Sequence, residues 1–132
     1  MRVAGKVKAK PASKKESGLK AEPALDVRFY CFESGKEPVR DWLKSLPRAV
    51  KLEIGSDIQR VQWRWPVSKP LVDTIGGGLF EVRTKVDGVQ YRVLFSIKDS
   101  AMVLLHGFEK KVRSAPDEIE VGRDRKKDLD KE

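Results

Sequence analysis

Three apolar runs separated by two tight-turn signals constrain this chain more than any other feature. Leu79 to Lys85, Val89 to Ile97 and Met102 to Glu109 are rich in β-branched and aromatic residues, and they are broken at Asp87-Gly88 and at Lys98-Asp99-Ser100. Connections this short leave no room for a crossover, so the three runs are expected to pair as consecutive antiparallel strands. A brief apolar segment from Leu71 to Ile75 precedes them, ending at Gly76-Gly77-Gly78. The triple glycine lacks the Lys-Ser/Thr that completes a phosphate-binding P-loop, and it reads as a turn between strands.

Upstream the pattern changes to helical spacing. Val39, Trp42, Leu43 and Leu46 recur at steps of three and four, with Pro38 suited to an opening turn. Pro47 suits the start of a second helix, whose stripe is Val50, Ile54, Ile58 and Val61. Trp63-Arg64-Trp65-Pro66 ends it, because proline disfavours helical geometry in the residue before it. The tryptophans either close the core or offer rings on which bases could stack. Before these helices, Asp26 to Phe32 is short, aromatic and β-branched, and reads as a first strand. After Pro116 the pattern is helical again, but only Ile119, Val121 and Leu129 are apolar, so a lightly packed or fraying helix is expected. The order predicts an α+β domain in which helices cover one face of a mostly antiparallel sheet of four to five strands.

The chain has 132 residues, enough for one domain with one modest core. Residues 1–24 are rich in Lys, Ala, Ser, Gly and Pro without hydrophobic periodicity, and are expected to form a disordered basic tail; the folded domain is expected to span residues 25–132. The tail reads either as a solvated extension or as a non-specific RNA-binding arm. No apolar stretch has the length of a signal peptide or a bilayer span, so a cytoplasmic location is expected. Cys31 is the single cysteine and lies in an apolar run, which favours a small buried side chain over a nucleophile. No Cys/His cluster has metal-ligand spacing, and neither metal nor cofactor is expected.

Lys and Arg number 28 against 20 Asp and Glu, for a formal charge of +8. A polyanionic partner is favoured, although charge alone does not separate nucleic acid from an anionic membrane or an acidic protein. Strand alternation sorts the candidates. Phe80 and Val82 share one face while Glu81 and Arg83 share the other; Arg92 and Leu94 lie opposite Tyr91, Val93 and Phe95. Simple alternation puts Met102, Leu104, His106 and Phe108 on one face of the last strand. Lys110, Lys111 and Arg113 follow directly, so several cations are expected to converge near the only histidine.

Such a cluster suits a phosphodiester. In RNA the 2′-hydroxyl can attack the adjacent phosphorus, so the protein needs no nucleophile; it needs alignment and stabilisation of a dianionic phosphorane. Arg binds two phosphate oxygens with a planar fork and Lys supplies a compact charge. His106 has the best ordinary pKa for a proton transfer at neutral pH, and a lysine among other cations is the substitute. Each residue has a plain structural alternative: His106 as a hydrogen-bonded core residue, Arg83 as the partner of Glu81 or Glu109 in an ion pair.

Gly77-Gly78-Leu79-Phe80-Glu81-Val82-Arg83, then Tyr91-Arg92-Val93-Leu94-Phe95, then Leu104-Leu105-His106-Gly107-Phe108-Glu109-Lys110-Lys111 together resemble the RelE/HigB superfamily of toxins, especially its phage-derived HigB-like branch. Pro38-Val39-Arg40-Asp41-Trp42-Leu43 and Leu46-Pro47 are similar to the first helix of that branch and its junction with the second. The resemblance covers residues 26–125. It implies a compact sheet with two N-terminal helices and a C-terminal helix, and metal-independent cleavage of messenger RNA, commonly on the ribosome. It also implies a cognate antitoxin, often a helix-turn-helix protein. By position, it implies phosphate binding by Arg83, a structural or RNA-contacting role for Arg92, and catalytic basic residues close to the scissile phosphate at Lys110 and Lys111; on charge and ordinary pKa alone, Arg113 and Arg64 are expected to contact RNA and His106 to carry a proton. The branch's Lys-Thr-Pro is here Ser114-Ala115-Pro116, and no tyrosine or further histidine follows His106 to serve as acid or base. A toxin-derived module that binds RNA, ribosome or antitoxin without cleaving is a second reading, and a phage-derived protein of assembly or regulation is a third.

Overall fold

A computed structural model describes residues 22–110 and 115–132. The elements run β1 (Asp26–Phe29), α1 (Pro38–Lys44), α2 (Arg48–Arg64), β2 (Val72–Gly76), β3 (Leu79–Val86), β4 (Val89–Lys98), β5 (Ala101–Glu109) and α3 (Ala115–Asp130). The expected α+β architecture is the one observed, with five strands in the order β1-β5-β4-β3-β2. All neighbours pair antiparallel except β1, which lies parallel to β5. The expected basic tail falls almost wholly outside the described residues.

The two hairpin turns work as their sequences require. Asp87 and Gly88 have φ of 50° and 81°, and Asp99 and Ser100 have 50° and 62°, so both turns carry two left-handed residues, the geometry that matches strand twist. Helices α1 and α2 pack on one face, over Val82, Val93, Phe95, Met102 and Leu104. The stripe read from α2 is the buried one: Val50, Ile54, Ile58 and Val61 are all buried. Asp57 joins them because it accepts from Thr84 Oγ1 of β3 at 2.8 Å and pairs with Arg60. Trp65 closes this core, edge-on to Phe80 and Phe95, whereas Trp63 is exposed.

Three expectations are corrected. Helices do not cover one face only, because α3 packs on the opposite face against Leu79, Leu94, Val103 and Leu105. Nor is α3 loosely held. Leu129 is buried, and Gly122 sits so close to Leu94 that a Cβ there would clash. Tyr30 donates to Asp128 at 2.6 Å, Lys98 donates to the Leu129 carbonyl at 2.8 Å, and Arg125 stacks over Phe32 and Tyr30. These polar anchors do what three apolar residues could not. Finally, alternation along β5 is broken: Leu94 pairs with His106 but Phe95 pairs with Leu104, so Leu105 is an extra residue in a β-bulge. Met102 and Leu104 therefore face α1 and α2, while His106 and Phe108 face the α3 side.

Candidate nucleic-acid interface

The sheet register assembles the site on the α3 side. One cross-strand row is Asp73, Glu81, Leu94 and His106. The next is Arg83, Arg92 and Phe108, and beyond it Lys85 lies opposite Gln90, whose carbonyl accepts from the Lys110 amide at 2.8 Å. Helix α3 covers the first row through Leu94 and His106, and Phe108 of the second row joins the same buried cluster. Beyond it a hollow of about 370 Å³ is lined by Arg83, Lys85, Gln90 and Arg92, with Pro70 and Leu71 from the loop before β2. Arg83 and Lys85 of β3 thus meet Gln90 and Arg92 of β4 in one hollow, and the Lys110 backbone is held at the same end of the sheet, two strands from Arg83.

Two carboxylates set the arginines apart. Glu81, itself buried, accepts from Arg92 Nη1 at 2.8 Å and, on the same oxygen, from Arg83 Nε at 3.3 Å. Arg92 also donates through Nη2 to Gln90 Oε1, and its buried Nε has no partner among the described residues. Its side chain is 8% exposed, so Arg92 is a buried strut, and the expected direct RNA contact is not what its position favours. Arg83 is different: its side chain is 35% exposed, and its two bonds, to Glu81 and to Asp73, are both long at 3.3 Å. Ion pairs this long and this exposed hold a side chain weakly. Asp73 is shared with Lys69 at 3.7 Å.

His106 lies on the correct face but is occupied. Nε2 is 2.6 Å from Glu118 Oε1 on α3, and Nδ1 is 3.5 Å from Arg125 Nη1. The ring stacks on Phe108. Burial lowers its pKa, and the Arg125 charge adds to that, against the Glu118 hydrogen bond and charge that raise it. His106 is therefore a hydrogen-bonded link between β5 and α3. As a proton carrier it has no nitrogen facing the hollow, a consequence of the bulge and of α3 that alternation cannot foresee.

Arg64 is exposed at the end of α2, in the layer on the other side of the sheet, and is not brought to the cluster. Lys111 and Arg113 lie outside the described residues. Among the described residues no three His, Cys, Asp or Glu side chains gather where they could hold a metal, and no helix is long and apolar enough to cross a membrane. Sequence reading passed over Lys85, Gln90 and Asp73. Lys85 and Gln90 were detectable, since they continue the alternation of Arg83 and Arg92 toward the Asp87-Gly88 turn. Asp73 had no signal, because its partner is ten residues away.

A family model for the phage derived protein Gp49-like proteins (DUF891) matches residues 41–127, from α1 through most of α3. The chain belongs to this family. The matched stretch contains every element that builds the hollow, so the site lies within what makes this a Gp49-like protein and outside its basic N-terminal segment. No curated protein matches the chain significantly.

Proposed function

We propose that this Gp49-like protein is a toxin of the RelE/HigB type, a metal-independent endoribonuclease that cleaves messenger RNA in the cytoplasm, on the ribosome, and is silenced by a cognate antitoxin, expected to be a helix-turn-helix protein. The observation that carries the reading is Arg83: a partly exposed guanidinium in a hollow sized for a nucleotide, with Lys85 beside it and the Lys110 backbone bonded to Gln90 at the same end of the sheet. The cations there outnumber Glu81 and Asp73, so a phosphodiester is favoured.

The reaction needs few groups. The RNA 2′-oxygen forms a bond to the adjacent phosphorus, the bond from phosphorus to the 5′-oxygen breaks, and a 2′,3′-cyclic phosphate and a 5′-hydroxyl result. Arg83 and Lys110, with Lys111, would stabilise the two negative charges of the phosphorane, each contributing roughly 2 to 4 kcal/mol. Arg92 acts through Glu81, fixing the carboxylate against which Arg83 is oriented. With His106 engaged by Glu118, the proton from the 2′-oxygen and the proton to the 5′-oxygen fall to lysine and solvent.

A second reading is favoured by the same ion pairs. If Arg83 stays with Glu81 and Asp73, the face binds RNA or the ribosome without cleavage. Mapping RNA ends produced by purified protein, with and without ribosomes and with chelator present, separates the two. Cleavage insensitive to chelator and lost in Arg83→Ala supports the nuclease; translational arrest without new 5′ ends supports the binder. Cleavage that persists in Arg83→Ala removes Arg83 from the mechanism.

A further inference from the structure

Phosphate chemistry accounts for the charge of Lys85 but not for Gln90, nor for the pairing of Gln90 with Lys85. They are direct cross-strand partners and both line the hollow. The orientation of the Gln90 amide is fixed by its neighbour: Arg92 has only donors, so the oxygen of Gln90 must face it, and the NH2 group is turned away. Lysine likewise offers only donors. The hollow therefore carries two donors side by side, and Thr84, which also lines it, has its hydroxyl committed to Asp57. Gln90 stands diagonally across the strands from Arg83, roughly 7 Å between Cβ atoms, a spacing that a nucleotide spans from phosphate to base.

We infer that Lys85 and Gln90 are specificity-determining residues that read the base next to the phosphate held by Arg83, and that the base is guanine. Of the two purines, guanine presents O6 and N7 as two adjacent acceptors, whereas adenine sets an amino donor beside N7 and would face Lys85 or Gln90 with a donor against a donor. Pro70 and Leu71 supply the apolar wall against which a base lies. Arg92 gains a second role here: by holding the Gln90 oxygen it prevents the amide from flipping to accept from adenine. The inference rests on the reading of the hollow as an RNA site.

Equilibrium binding by the full chain tests it without requiring turnover. The probes are 2′-O-methyl RNA hexamers, identical except for one guanine or adenine at each position in turn. Wild type should favour guanine at one position by about tenfold. Gln90→Glu, which keeps the shape and turns the outward group into an acceptor, should abolish or reverse that preference, and Lys85→Ala should reduce it severalfold. Both residues are exposed, and unchanged circular dichroism serves as the folding control. A guanine preference that survives in both variants, or no preference in the wild type while Arg83→Ala weakens binding of every hexamer, overturns the inference and spares the RNA site. Hexamers that bind equally well to wild type and Arg83→Ala, or to neither, overturn the RNA-site reading and the inference with it.

Discussion

Arg92 and Glu81 form a buried ion pair, Nη1 to Oε1 at 2.8 Å, with side chains 8% and 5% exposed, and this pair carries the partly exposed Arg83 on the same carboxylate oxygen. Buried pairs contribute little net stability against an apolar alternative, but removing one member strands the other charge. Glu81→Gln should therefore cost about 3 kcal/mol, read as a lower urea midpoint, because Arg92 already has one orphaned buried nitrogen. An unchanged midpoint would mean that water reaches Arg92.

Asp73 competes with any anion for Arg83, and it does so from an edge strand with its own side chain partly exposed. Asp73→Asn should raise affinity for RNA by roughly two- to fivefold at low salt, the size of an exposed charge interaction, and the gain should shrink as salt rises. Fluorescence anisotropy across a salt series measures both. Weaker binding by the variant would show that Asp73 positions Arg83 and does not mask it.

Gly107 on β5 exists for Trp42 of α1. A Cβ at Gly107 would overlap the indole ring, which is rigid and must move as a whole to make room. Gly107→Ala should cost about 3 kcal/mol, at the upper end of overpacking effects, and Trp42→Ala in the same chain should recover part of it. Additive losses in the double-mutant cycle would refute the contact.

His106 gives the fold a pH dependence of definite sign. Its folded pKa is lowered by burial from the ordinary 6.5, so below that value the unfolded chain binds the proton more readily than the folded one. Stability from this group is fully present above about pH 6.5 and is lost as pH falls toward the folded pKa. The groups facing the ring are Glu118 and Arg125 of α3 and Phe108 of its own strand. Urea midpoints at pH 8 and pH 5.5 should differ more for wild type than for His106→Gln; an equal difference would detach the effect from this histidine.

Local chemistry determined much of this protein. The three strands and their two turns, the stripe of α2, the stop at Trp65-Pro66 and the placing of Glu81, Arg83 and Arg92 on one face all follow from period and turn residues, which act over a few positions. Tertiary structure decided the rest. The bulge at Leu105 arises from pairing between strands, and it alone moves His106 and Phe108 to the side of α3. Helix α3 is held by Tyr30, Lys98, Arg125 and Gly122, contacts made across scores of residues that no helical period encodes. Arg83 remained accessible while Arg92 became a strut, because a carboxylate chooses between two arginines by distance and burial, and those quantities exist only once the chain has folded.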